Sequence, residues 1–318
     1  MKAAGRSVVP LVALLASFAL PERAYGLSYL TLDFPGAQST ELGRFDGSRV
    51  VGTYYDVNSV QRGFVYDGSS FVSISHPNAT NFSLAGADNG KYVGSYLDSG
   101  FHRYGFAYDG TTFTPISHPS AVGPFASTTP RDISGNRVIG IWQVGTVNGG
   151  AGGFVFDGTT FQPVDYPGAG QFGSLPLGIS GNYIVGYYND SQAIAHGYTF
   201  DGSTYKSVDA PLGVKGTYLS GTDGTRSVGY YLDSSRNPHG LLYDGAALTY
   251  LDVPGSLKTQ LSDIQGNMIA GTYWDATGQH GFVAVIPEPG GLLLAAVGAI
   301  ACFGWSLLRR GARGMRAG

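Results

Sequence analysis

Between residues 28 and 286 apolar and polar positions alternate in short runs, each closed by glycine, asparagine, aspartate or proline. A period of two predicts strands with one buried face, and the punctuation marks turns between them. Two stretches break the pattern, since Val8 to Leu20 and Gly290 to Leu308 are apolar and too long for strands.

The alternating runs repeat. Gly63-Phe64-Val65-Tyr66-Asp67-Gly68 returns at Gly105, Gly153, Gly197 and Gly240, with a worn copy at Gly281. The steps are 42, 48, 44, 43 and 41 residues. A second run, VVGTY from Val50, recurs from Tyr92, Val138, Ile184, Ser227 and Ile269. A third, ending in proline, recurs from Leu30, Phe71, Phe113, Phe161, Tyr205 and Leu248. Asp-Gly after each GFVY-like run reads as a two-residue hairpin turn, and Asp46-Gly47, Asn89-Gly90 and Gly135-Asn136 mark another before the VGxY runs. Each unit is thus four antiparallel strands in about 43 residues, the size of a propeller blade. The glycines at 149, 150, 152 and 153 lengthen the third unit.

The chain enters on the last strand of a unit and leaves after the third. Pairing residues 28 to 34 with 281 to 286 completes a sixth blade and leaves no open edge. An open solenoid or two packed sheets would give that displaced strand no role. The expected fold class is therefore all-β: a six-bladed β-propeller closed by the N-terminal strand, flanked by an N-terminal signal helix and a C-terminal transmembrane helix.

Composition agrees. Fifty glycines and 21 tyrosines among 318 residues, with charged residues at 13%, suit a turn-dense β chain. From Leu27 to Ile286 there are twelve Lys or Arg against twenty Asp or Glu, so this part is net −8 and a poor partner for nucleic acid. Cys302, the single cysteine, lies in the terminal apolar run and excludes an intrachain disulfide.

Lys2 and Arg6, the apolar stretch to Leu20 and the small residues Ala24 and Gly26 have secretory signal architecture, with cleavage after Gly26. The nineteen uncharged residues from Gly290 to Leu308 would span a bilayer as a helix. Arg309 and Arg310 hold the tail in the cytoplasm and leave everything before Pro287 outside. The expected domains are a signal peptide at 1–26, the six-repeat propeller at 27–286, a proline-rich motif and transmembrane helix at 287–310, and a basic tail at 311–318.

Pro287-Glu288-Pro289, the apolar span and the arginines together resemble the PEP-CTERM sorting signal of Gram-negative bacteria that make exopolysaccharide. The resemblance implies an exosortase partner, an inner-membrane stage before processing, and delivery to the cell surface or extracellular matrix. Pro287, Glu288, Pro289, Arg309 and Arg310 would then be sorting residues. The repeats resemble HAF-type extracellular repeats, with His-Gly-Phe-like tripeptides at His196, His239 and His280; Arg62, Tyr104 and Gly152 replace the histidine elsewhere.

Three sets of residues could carry chemistry. His196, His239 and His280 come from adjacent blades and would bind a metal only if they converged; a repeated structural need is the simpler reading, so no metal is assigned. Asp33, Asp165, Asp209 and Asp252 precede the proline corner, while Asp56, Asp98, Asp233 and Asp275 follow the VGxY run. Such carboxylates cap turns, although a pair in the central channel could cleave glycans. Tyr55, Trp142, Tyr188, Tyr231 and Trp274, one from each of five aromatic strand ends, are candidates to stack on sugar rings. With no catalytic motif and no cofactor motif, the sequence points to a non-enzymatic envelope or matrix protein binding polysaccharide or protein. The alternative is a glycan-cleaving hydrolase or lyase on the same scaffold.

Overall fold

The computed structural model describes residues 28–286, apart from 147–148 and 171–172. Strand β1 (Ser28–Thr31) comes first. Strands β2 (Ser39–Asp46), β3 (Arg49–Tyr55), β4 (Gln61–Tyr66) and β5 (Phe71–Ile74) form blade 1. Blade 2 holds β6 (Asn81–Asp88), β7 (Lys91–Leu97), β8 (Arg103–Tyr108) and β9 (Phe113–Ile116). Blade 3 holds β10 (Ser127–Ser134), β11 (Arg137–Gln143), β12 (Ala151–Phe156) and β13 (Phe161–Val164). Blade 4 holds β14 (Ser174–Ser180), β15 (Tyr183–Asn189), β16 (Ala195–Phe200) and β17 (Tyr205–Val208). Blade 5 holds β18 (Gly216–Thr222), β19 (Ser227–Leu232), β20 (Pro238–Tyr243) and β21 (Leu248–Tyr250). Blade 6 runs β22 (Lys258–Gln265), β23 (Met268–Trp274), β24 (Gln279–Val285) and then β1. The first strands of consecutive blades touch around the ring, β22 touching β2 among them, so they line a central axis. The result is an all-β six-bladed propeller.

Closure follows the expected pairing. Ser28, Tyr29, Leu30 and Thr31 lie opposite Val285, Ala284, Val283 and Phe282, and the Leu32 amide adds a bond of 2.8 Å to the Gly281 carbonyl. The seam is also packed: Leu32 and Ala270 of blade 6 share a buried cluster with Leu42, Val50, Tyr54 and Phe64 of blade 1. Similar clusters lie between the other blades, as where Val51 and Val65 of blade 1 meet Phe82, Leu84 and Phe106 of blade 2. The core is thus six wedges between sheets, and the 6–1 wedge is one of them.

Inside each blade the two repeated motifs fit one another. Gly52 lies opposite Phe64, Gly94 opposite Phe106, Gly140 opposite Phe154 and Gly271 opposite Phe282. A Cβ at Gly52 would sit 2.3 Å from the Glu41 carbonyl oxygen and 2.6 Å from the Phe64 ring, so the aromatic covers ground that only glycine leaves open. Each such buried ring contributes about 1.5–3 kcal/mol.

The turns differ from expectation in one respect. Two-residue turns occur before the VGxY strands of five blades, as at Asn89-Gly90, where both residues have positive φ (52° and 76°) between the paired Asp88 and Lys91; in blade 5 Thr222 pairs with Ser227, and the turn expected at Asp223-Gly224 is four residues long, held by Asp223 Oδ1 on the Thr225 and Arg226 amides. The Asp-Gly turns after GFxY are likewise four residues long. Tyr66 pairs with Phe71, and Asp67 Oδ1 accepts the amides of Ser69 and Ser70 at 2.8 Å, while Gly68 alone has positive φ. The aspartate side chain holds a wider loop there, and its backbone never enters the left-handed region that a two-residue turn would require.

Among the described residues there is no helix, and hence none long and apolar enough to cross a membrane. The signal segment, Pro287, Glu288, Pro289, Arg309 and Arg310 lie outside the described residues.

Candidate functional site

The repeated histidines do not converge. Each is held by the aspartate that ends its own blade: His196 Nδ1 lies 2.7 Å from Asp209, His239 Nδ1 2.7 Å from Asp252, and His280 Nδ1 2.7 Å from Asp33. Opposite, Asp190, Asp233 and Asp275 stand 3.5, 3.6 and 3.4 Å from the Nε2 atoms. Those second aspartates cap the loop after the VGxY strand, Asp190 Oδ1 accepting the amides of Gln192 and Ile194 at 2.8 and 2.9 Å. Backbone donors hold the Asp190 carboxyl below the usual carboxylate range. Each imidazole therefore pins two loops and the outer strand of one blade.

The stacking position is also structural. The register makes Tyr54, Tyr96, Trp142, Tyr188, Tyr231 and Tyr273 equivalent, each two residues past the VGxY glycine. Trp142 stacks on His118 at 5.0 Å and 4°, and Tyr188 lies between Tyr166 at 3.8 Å and His196 at 5.1 Å. Tyr231 is buried against His239 and Tyr250, and burial, aided by Asp252, pushes its phenol up to about 12. These three candidates have their faces engaged by protein. Tyr55 and Trp274 occupy the next position along, half-buried at strand ends, with Tyr55 pushed up by burial and by the charge of Glu41. The five aromatics thus fall in two repeat positions and form no single platform.

The groups that come together lie on the axis. The first strands carry β-bulges, in which Ala85, Arg131, Leu177, Ser220 and Ser262 are skipped by the register. A bulge frees a carbonyl from the ladder and re-aims a side chain. The freed carbonyls of Ser262, Leu177 and Ser220 accept the Arg44 guanidinium at 2.5, 2.5 and 2.8 Å, and Asp132 lies 3.1 Å from its Nε. Arg44 of blade 1 thereby holds four other blades and divides the channel. Burial would lower its pKa, but Asp132 and Asp263 keep it raised.

On one side of Arg44 the cavity, about 350 Å³, is edged by Asp46, Asp88, Asp223 and Ser134. Several of these reach across to the next blade's turn, Asp46 taking the Gly90 amide, Asp88 that of Gly135 and Ser134 that of Gly181. On the other side a mouth of about 370 Å³ is lined by Glu41, Thr53, Arg131, Tyr187, Tyr230 and Gln260. Tyr218 stacks behind Tyr230 at 4.7 Å and 14°, and meets Tyr187 edge-on at 4.7 Å. Burial raises the Tyr187 and Tyr230 phenols, so both stay neutral. Glu41 accepts the Gln279 amide at 2.7 Å. Tyr187, Ile141 and Leu175 continue into a groove of about 1180 Å³ beside Phe125, Val144 and the lengthened loop of blade 3.

Sequence reading missed this mouth. The signal was departure from the repeat: where Arg131 stands, the other blades carry Gly43, Ala85, Leu177, Ser220 and Ser262, and where Tyr187 and Tyr230 stand, others carry Thr53, Ser95, Ile141 and Thr272.

No family model and no curated protein sequence matches the chain. Among solved structures it is similar to the β-propeller domain of the trilobed protease from Pyrococcus furiosus, described as having an open Velcro topology, at 11% identity and a TM-score of 0.51. That match covers 79% of this chain and 82% of the other. Pyrococcus horikoshii acylaminoacyl peptidase matches at 13% identity and a TM-score of 0.48 over 80% of this chain, which spans only 47% of that protein. Aleuria aurantia lectin, in complex with Fucα1-6GlcNAc, matches at 10% identity and a TM-score of 0.42 over 79% of this chain and 98% of the lectin. The first of these likenesses shows the fold.

Proposed function

We propose that this chain is a non-enzymatic, surface-sorted propeller that binds polysaccharide in the axial mouth and the groove leading from it. One observation carries the reading: the mouth gathers unrepeated aromatic and polar side chains, whereas the repeated polar groups of the rim hold loops and blades together. Neutral tyrosines beside Glu41, Gln260 and Thr53 offer a ring surface edged by hydrogen-bonding groups, the combination that sugar rings require. The groove extends that surface far enough for several residues of a chain-like ligand. Against glycan cleavage, the channel carboxylates Asp132 and Asp263 face Arg44 and accept backbone amides, Ile179 on Asp132 at 3.0 Å and Phe45 on Asp263 at 2.9 Å. Neither is free to meet a glycosidic oxygen. Export by residues 1–26 and exosortase handling at Pro287, Glu288 and Pro289 belong to the same proposal, and place the mouth outside the cell.

The test uses the full chain and a panel of bacterial exopolysaccharides. Tyr187→Ala should weaken binding at least tenfold with little change in melting temperature, whereas Tyr188→Ala should lower the melting temperature. Unchanged binding in Tyr187→Ala, or new reducing ends released by the wild-type chain, would overturn the reading.

A further inference from the structure

The arginines of the propeller are unevenly matched. Arg44 pairs with Asp132, Arg62 with Asp56 at 2.8 Å, Arg226 with Asp223 at 2.8 Å, and Arg103 donates to Ser95 Oγ at 3.0 Å. Arg137 donates to the Gly181 carbonyl at 2.9 Å. Among the described residues no carboxylate or other acceptor holds the guanidinium of Arg131. It is exposed and lines the mouth, and the protein packed around it, with the charges of Arg103 and Arg44, lowers its pKa. One unmatched guanidinium thus shares the mouth with the tyrosines, on a chain that is net −8 from Leu27 to Ile286 and has acidic groups to spare elsewhere.

A cation kept in a partly enclosed site without a counter-charge costs free energy unless an anion arrives. Guanidinium presents a planar fork that fits a carboxylate with two parallel hydrogen bonds. The bulge in β10 puts Arg131 in the same mouth as Tyr187, so one sugar residue could lay its ring on Tyr187 and set an exocyclic carboxylate on Arg131. Glu41 is the one glutamate of residues 27–286; it lines the same mouth and disfavours the reversed orientation.

We propose that the mouth selects acidic glycans, with Arg131 the carboxylate receptor. This rests on the polysaccharide-binding reading above. The probes are a galacturonate oligosaccharide, the same oligosaccharide fully methyl-esterified, and a neutral gluco-oligosaccharide of equal length, each titrated onto the full chain in detergent. Wild type should bind the acid form at least tenfold tighter than the ester, with the difference shrinking as salt rises. Arg131→Gln should bring acid and ester to within about twofold of each other, and Arg131→Lys should keep part of the preference. Equal wild-type affinity for acid and ester would overturn the acidic specificity and leave polysaccharide binding standing. Failure of wild type to bind any of the three would sink both readings. An Arg131→Gln chain that melts normally and keeps the acid preference would remove Arg131 from the role.

Discussion

At the scale of single residues, the repeat makes the exceptions informative. Tyr198 stands where other blades carry Phe64, Phe106, Phe154 and Phe282, and it is fully buried. Its hydroxyl has no hydrogen-bond partner among the described residues, and burial holds the phenol well above its ordinary value. The ring packs as its phenylalanine counterparts do, 5.6 Å from Tyr205 and 6.0 Å from Tyr166, so the hydroxyl alone is out of place. Removing it relieves an unsatisfied buried group while leaving the packing, a change worth about 1–3 kcal/mol. Tyr198→Phe should therefore raise the urea midpoint at an unchanged m-value. A lower midpoint would mean that the hydroxyl has found a partner, such as an ordered water.

At the scale of elements, the strand pattern, the blade count and the sixfold motifs were legible because each depends on periods of two and of about 43 residues. The bulges were not, because a bulge is a single skipped residue with no fixed composition, and without it Arg44 and Arg131 look like ordinary strand residues. The histidine–aspartate pairs were half legible. Aspartate precedes the proline corner wherever the third strand carries histidine, at His196 with Asp209, His239 with Asp252 and His280 with Asp33; Ser75 and Ser117 accompany Arg62 and Tyr104. The last pair joins residues 247 apart and needs the closed ring to be seen. Blade 3 breaks the correlation, with Asp165 but Gly152. Burial pushes the Asp165 carboxyl up. Gly152→His should rebuild the pair beside Trp142, whose ring edge comes within 3.1 Å of the new Cβ and must shift slightly. Glycine in a strand is also unfavourable. A gain of about 1 kcal/mol is expected from the charge-assisted hydrogen bond, together with a fall in the Asp165 pKa by NMR titration. An unmoved Asp165 resonance would show that the imidazole points elsewhere.

At the scale of the whole molecule, the ring is closed twice, at its perimeter by β1 and on its axis by Arg44. The axial closure has a charge imbalance. One guanidinium faces two buried carboxylates, Asp132 with the ion pair and the amides of Ile133 and Ile179, Asp263 with the Phe45 amide. Burial outweighs the pull of Arg44 and, aided by the charge of Asp132, pushes Asp263 up to about 7. In the unfolded chain the same group titrates near ~3.9. Between these values the folded state holds a proton that the unfolded state has released, so this group's contribution to stability is complete below about pH 4 and is lost as pH rises towards 7. The loop-capping aspartates act in the opposite sense. Backbone amides lower carboxyls such as Asp56, Asp98 and Asp233, whose contribution is present above about pH 4 and lost in acid. The slope between pH 5 and 7.5 therefore carries the protons of the axial carboxyls, since burial raises Asp132 as well as Asp263, and removing one of the two isolates its share. Asp263→Asn keeps an acceptor for Phe45 and removes the titration. Wild type should melt at progressively lower temperature as pH rises through that window, and the difference between wild type and Asp263→Asn should close at its acid end and open at its neutral end. Parallel melting curves for the two proteins across the window would mean that Asp263 is already ionised on the axis, and that Arg44 balances both carboxylates.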